Sequence, residues 1–347
     1  MLAAYATGVG GEEPLANLEV GARPRPEPTA GWALLRTGAV SLNHHDLWTL
    51  KGVGAPPASL PRILGCDVAG WVEAYGPGTP EALPLGSPAV AHAVITCGSC
   101  ESCLGPDETS CRHFAMLSEG PYEGTLAEYC LVPATNLFAI PAGLSAPEAA
   151  CLPTAYLTAY RMLFTKARIR PGATVLIQGA GGGLATAAQA LALAAGLRVL
   201  VSSRSEEKRQ RSLARGAHQV MAPGREAVSA VMALTGGEGV DAVIESVGEP
   251  TWATSLRALR RGGAVVVAGA TGGAEPPADL RRVFWRQLQI LGSTMGTRAE
   301  FRALLRFTEA AGIHPAIDQI VPLTEAESAF AKLESGSAIG KLVITSS

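Results

Sequence analysis

Four cysteines stand in the spacing Cys97-x2-Cys100-x2-Cys103-x7-Cys111, with no histidine or carboxylate ligand alternating among the first three positions beyond the exposed-type Glu101. Four thiolates brought together this closely suit a tetrahedral zinc, and an all-cysteine zinc site is closed, so the metal shapes a loop and does no chemistry. An iron–sulfur cluster is the rival occupant of such a set. Disulfides are not expected, because seven unevenly spaced cysteines in a chain expected to be cytoplasmic favour metal ligation or free thiols.

A second chemistry is written in Gln178-Gly-Ala-Gly-Gly-Gly-Leu-Ala185. A dinucleotide needs a tight strand-to-helix turn, close backbone approach to its pyrophosphate and free N–H groups at a helix N-terminus. Gly179, Gly181, Gly182 and Gly183 with Leu184 supply that turn, and Ala185 is small enough for close helix–strand packing. The next strand ends Ser202-Ser203-Arg204, followed by Ser205-Glu-Glu-Lys208. An acid here would bind the ribose 2′-hydroxyl of NAD, whereas Arg accommodates a 2′-phosphate. Ser203, Arg204 and Lys208 therefore predict NADP(H).

The elements that must carry these groups follow from pattern. Residues 1–135 are rich in Pro and Gly, with short apolar runs such as 31–36 and 68–72 bounded by turn signals, which predicts an irregular β domain. From Ala173 the runs 173–178, 198–203, 240–245, 263–268 and 288–292 alternate with helical segments, the first at roughly 183–195. That alternation predicts βαβ units and a doubly wound parallel sheet. The strand-like Lys341-Leu-Val-Ile344 is expected to return to the first domain.

Composition is consistent with this. Of 347 residues, 48% are hydrophobic and 17% charged, which excludes disorder, and the net charge of −2 implies no nucleic-acid face. The longest apolar stretch, 185–197, is too short to span a bilayer, and Met1-Leu-Ala-Ala-Tyr5 is no signal peptide. The reading is a cytoplasmic protein with a small-molecule substrate and neither membrane nor nucleic-acid partner.

The cysteine lobe and the Gly-rich turn, in this order in one chain, resemble the zinc-containing medium-chain dehydrogenase/reductase superfamily of alcohol dehydrogenases and quinone oxidoreductases. The resemblance implies an α/β chain. A GroES-like catalytic domain with the zinc lobe (97–111) would span 1–135, and a Rossmann NADP-binding domain 136–311. Residues 312–347 would return to the first domain. It places the cofactor also against Gly248, Gly269, Thr271, Gly292, Ser293 and Lys341. It implies a homodimer or homotetramer, with Leu288 to Gly292 near a sheet edge that pairs across subunits.

Where alcohol dehydrogenases of this family hold catalytic zinc, the chain departs from the pattern. Asn43-His-His-Asp46 replaces Cys-x-x-Asp, Gly65-Cys66-Asp67 replaces Gly-His-Glu, and Thr154 stands where a third ligand is expected. Asn and Thr are poor zinc ligands. The residues that the resemblance brings to the cleft are Asn43, Asp46, Trp48, Thr154 and Thr158. Hydride transfer to an enone, enoyl thioester or quinone, whose carbonyl hydrogen bonds can polarise, fits such a set better than alcohol oxidation. Asn43 would donate its amide to substrate oxygen or bond to loop backbone. Trp48 would wall the pocket or pack in the core. His45, at the family's proton-relay position, would supply a proton or serve structurally. Two alternatives stand beside this reading. One is an alcohol dehydrogenase with zinc held by a rearranged set from His44, His45, Cys66 and Asp67. The other is a nucleotide-binding scaffold without turnover.

Overall fold

The computed structural model describes residues 1–53 and 59–346. The chain divides into two compact units, Met1–Ala155 with Gly296–Ser347, and Tyr156–Met295. The division expected at 135/136 and 311/312 thus moves to 155/156 and 295/296. Packing explains both shifts. The helix Ala146–Ala150, opened by a Ser145–Glu148 capping box, lies on the strand Trp32–Ser41. The helix Arg298–Ala311 buries Phe301 edge-on against Phe138 at 5.2 Å and beside His92 at 5.6 Å, all within the first unit. No turn signal marks 155/156, because helical backbone runs through it from Leu152 to Lys166.

The first unit is built around Trp32–Ser41, which pairs antiparallel with Ala69–Tyr75, Tyr129–Pro133 and Lys341–Thr345 in a seven-stranded sheet. The C-terminal strand aligns Val343 with Ser41, and Leu42 N–H donates to the Leu342 carbonyl at 2.9 Å. That register carries Lys341 to the loop following Ser41. A three-stranded sheet, Leu18–Ala22, Leu2–Ala6 and Arg62–Ile63, leads into the segment holding Cys66.

The second unit is a six-stranded parallel sheet in the order Gln219–Met221, Arg198–Ser202, Thr174–Gln178, Val240–Glu245, Leu259–Val267, Gln289–Gly292. Its central strands are buried on one face through Leu176, Leu200, Val243 and Val265 and on the other through Ile177, Val201, Ile244 and Val266, which is why they read as continuous apolar runs. Strand order reverses between Thr174–Gln178 and Val240–Glu245, the switch point at which open α/β sheets bind ligands. Among the described residues no helix is long and apolar enough to cross a membrane.

Candidate active site and cysteine lobe

Asn43 follows the end of its strand as N-cap of the short helix His44–Leu50. Asp46, fully buried, accepts the N–H of Asn43 at 2.8 Å and of Gly65 at 3.0 Å, so it holds two backbone segments together. Gly65 has φ +91°, and a Cβ there would meet Thr125 Oγ1 at 2.7 Å. Glycine therefore permits the tight turn that presents Cys66 and Asp67.

Two of the three positions where the resemblance looked for zinc ligands, Asn43 and Thr154, join Asp67 and Lys341 in a buried hydrogen-bond network. Asn43 Nδ2 donates to Asp67 Oδ2 at 2.8 Å and to the Ser41 carbonyl at 3.2 Å. Lys341 Nζ donates to Asn43 Oδ1 at 2.6 Å and the Leu42 carbonyl at 2.7 Å, and lies 3.9 Å from Asp67 Oδ2. Thr154 Oγ1 donates to Asp67 Oδ1 at 2.6 Å. Burial pushes the Asp67 carboxyl up to about 6 against the pull of Lys341, Asn43 and Thr154. Asn43 thus has its donors and its acceptor engaged within the chain, and the structural use of its amide is the one observed. Lys341, only 3% exposed, belongs to this network. The sheet register directs its ammonium to Asn43 and the Leu42 carbonyl.

Cys66 is fully buried and touches this network weakly, 3.6 Å from Asn43 Nδ2 and 3.6 Å from Thr154 Oγ1. Burial, reinforced by Asp67, raises its thiol and keeps it protonated. His45 pairs through Nε2 with Glu119 Oε1 at 2.9 Å, and Glu119 Oε2 accepts the Met116 N–H at 2.9 Å. His45 Nδ1 is buried without a hydrogen-bond partner, 3.9 Å from Asp46 Oδ1. Burial opposes charge on this ring, but Asp46, Cys66 and Glu119 outweigh it and push His45 up to about 12. Nothing in the local sequence marked Glu119, which reaches His45 across 74 residues.

The remaining candidates separate. Trp48 is 41% exposed and so is no core residue, and its ring lies 6.3 Å from His44. Thr158 falls in the second unit, its hydroxyl 3.9 Å from Met295 Sδ. Of the rearranged ligand set, His45 and Cys66 meet, joined by Asp46. Asp67 belongs to Lys341 instead, and His44, its charge disfavoured by burial and Lys341, is not among them.

In the second unit the Gly-rich turn lies between Thr174–Gln178 and the helix Gly183–Ala194, with Gly182 as its N-cap. Gly181 has φ +86°, and a Cβ on it would meet Lys208 Cδ at 2.9 Å, so Lys208 lies across the turn. Ser203 is buried at the end of its strand and Arg204 is exposed. Arg209, unmarked in the sequence reading, donates to the carbonyls of Ser203 at 2.5 Å and Arg204 at 3.2 Å, and pairs with Glu206. Gly248 caps the helix Glu249–Ala258, Gly269 and Thr271 follow Leu259–Val267 with Thr271 bonded to the Ser246 carbonyl, and Gly292 and Ser293 end the edge strand. Glu245 was also missed. Fully buried, it accepts Val247 N–H at 2.8 Å, Gly248 N–H at 3.1 Å and Ser255 Oγ at 2.6 Å, while Gln178 Nε2 donates to that Ser255 at 3.0 Å. This ladder braces the strand ends at the switch point.

In the lobe, the sulfurs of Cys97 and Cys103, Cys100 and Cys103, Cys100 and Cys111, and Cys111 and Cys97 are 3.8, 3.5, 3.8 and 3.6 Å apart. A zinc ion bonded to four sulfurs at ~2.3 Å holds them ~3.8 Å apart, so the residues fit that metal. Backbone N–H groups of Ser99 and Cys100 bring Cys97 down to about 5, while burial and its sulfur neighbours push Cys103 up to about 11. Four thiolates at this distance require a cation to be charged together. Beside the lobe, Glu108 grips Arg298 through Nε at 3.1 Å and Nη2 at 2.7 Å, and also accepts its backbone N–H at 2.6 Å.

Residues 29–142 match the model of the alcohol dehydrogenase GroES-like domain, and 183–310 that of the zinc-binding dehydrogenase. A zinc-type alcohol dehydrogenase-like protein of Schizosaccharomyces pombe is 32% identical over 322 residues, 90% of each chain. The chain belongs to the zinc-type medium-chain dehydrogenase/reductase superfamily. It is an oxidoreductase of that superfamily, with its GroES-like and Rossmann-type domains. An acryloyl-coenzyme A reductase of Metallosphaera sedula is 28% identical, covering 92% of this chain and 94% of the relative. A solved NAD-dependent alcohol dehydrogenase superposes with a TM-score of 0.94 at 37% identity, covering all of both chains.

Proposed function

We propose that this superfamily member is an NADPH-dependent reductase that delivers hydride to a quinone, enone or enoyl-type substrate with no metal at positions 43, 66 and 154. The closed Lys341–Asn43–Asp67–Thr154 network carries the reading. It leaves Cys66 as the one strong ligand among these three positions and installs a buried ammonium beside them. The relative named for acryloyl-coenzyme A reduction supports the substrate class.

When bound, the nicotinamide supplies the hydride. The chain's own part is to receive the charge that follows it to the carbonyl oxygen and α-carbon. His45 Nδ1 is the available donor, because both oxygens of Asp46 are taken by backbone and Asn43 is internally engaged. Glu119 fixes the ring by holding Nε2–H. An enolate carbon is far more basic than imidazole, so even a tightly held proton can be delivered to it.

The cofactor preference rests on Ser203, Arg204 and Lys208, where no acid meets the ribose. The solved neighbour named for NAD is a different protein, and the chemistry of this strand end argues for the 2′-phosphate here. The lobe's sulfur geometry supports one structural zinc per subunit. A homodimer or homotetramer in the cytoplasm completes the proposal. Supporting assembly, Leu280, Phe284 and Trp285 are 71, 68 and 69% exposed beside the edge strand Gln289–Gly292. The test is NADPH oxidation by the purified chain against quinones, enones, crotonyl thioesters and simple aldehydes. Turnover of the activated alkenes or quinones is expected, and turnover of aldehydes alone overturns the reading.

A further inference from the structure

We infer that His45 Nδ1, Cys66 Sγ and Asp46 Oδ1 form a site for a thiophilic divalent cation, and that occupying it switches the enzyme off. These residues are not the set that the superfamily resemblance aligns with catalytic zinc, with which they share only Cys66.

The ligand atoms of the three residues lie within 4.8 Å of one another, and Nδ1 to Oδ1 is 3.9 Å. Tetrahedral bonds of 2.0–2.3 Å place ligands ~3.3–3.8 Å apart, so closure around an ion needs only small side-chain shifts. Each ligand is prepared for this. His45 Nδ1 is buried and without a partner, while its other nitrogen donates to Glu119. A ligating histidine typically gives its second N–H to a carboxylate in this way, so the ring is already oriented for a cation that displaces the Nδ1 proton. Both Asp46 oxygens accept backbone N–H groups, and each keeps a lone pair. Cys66 makes only the two long contacts at 3.6 Å. Asp46, Asp67 and Glu119 put negative charge around the cluster, against the single ammonium of Lys341, which is held by Asn43 and the Leu42 carbonyl. The soft sulfur with imidazole and one carboxylate selects zinc-like ions over magnesium or calcium.

The inhibitory half of this inference rests on the reductase reading, because the cation takes the nitrogen that would deliver the proton. The binding half does not. Co2+ titrated into the full-length protein, with its lobe zinc retained, is expected to bind one equivalent and produce a near-ultraviolet thiolate-to-cobalt absorption. That absorption is lost in Cys66→Ser and in Cys66→Ala, which keep all four lobe cysteines. Glu119→Gln is expected to weaken binding by roughly 10–100-fold. Zn2+ at saturation is expected to abolish NADPH-dependent turnover in wild type. No absorption, or one that persists without Cys66, overturns the site. Cation binding that leaves turnover intact or raises it overturns the switch. Wild-type protein that takes up cobalt but reduces nothing in the substrate panel sinks the reductase reading and leaves the site standing.

Discussion

Lys341 Nζ donates to Asn43 Oδ1 at 2.6 Å across 298 residues of sequence, inside a buried network that also contains Asp67. This contact places an ammonium among groups that in a metal enzyme would face a metal ion, and it makes Asn43 a partner of the protein itself.

Removing that ammonium leaves the buried Asp67 carboxylate with its Asn43 and Thr154 hydrogen bonds but without its cation. Lys341→Met is therefore expected to lower folding stability by about 3–5 kcal/mol, the range for breaking one side of a buried pair. Denaturant unfolding measures it. A loss below about 1 kcal/mol would show that Asp67 does not depend on the lysine.

Arg204→Ala is expected to weaken NADPH by about 1.5–3 kcal/mol, the range for a hydrogen bond to a charged group, or roughly 10- to 150-fold. NADH should hardly change. Direct titration of both nucleotides checks this, and equal wild-type affinity for the two would remove the phosphate clamp.

Cys100→Ser or Cys103→Ser is expected to release the lobe metal and destabilise the chain, because metal binding is coupled to the folding of its loop. Metal content and thermal unfolding report both effects. The Glu108–Arg298 grip gives the loss a route into the helix Arg298–Ala311, which hydrogen exchange can follow. An iron–sulfur absorption in the purified protein would contradict the zinc assignment.

His92 supplies a pH dependence of stability. Its Nε2–H donates to the Gly296 carbonyl at 2.9 Å, and burial depresses its pKa from 6.5 to about 4. Between those values the unfolded chain binds the extra proton, so stability falls as pH drops through that window and is unaffected by this group above it. The total is about 3 kcal/mol at the acid end. His92→Gln should flatten the fall, measured by unfolding midpoints across that range. An unchanged slope would assign it to other groups.

The Rossmann-type sheet was readable because parallel strands buried on both faces appear as unbroken apolar runs, and the helix expected at 183–195 forms at Gly183–Ala194. The lobe was readable because its ligands are adjacent in sequence. The pairings of Glu119 with His45 and of Lys341 with Asn43 were not, since the fold closes them over 74 and 298 residues. The unit boundaries were hidden for a related reason, as Leu152–Lys166 is helical on both sides of the first one.

The most direct test of metal-free turnover counts zinc per subunit in protein purified without added metal and compares NADPH-dependent reduction before and after brief chelator treatment. The account predicts one zinc, retained by the cysteine lobe, and an undiminished rate on an activated alkene or quinone. Two zincs per subunit, with activity lost and regained in step with the second, would contradict it.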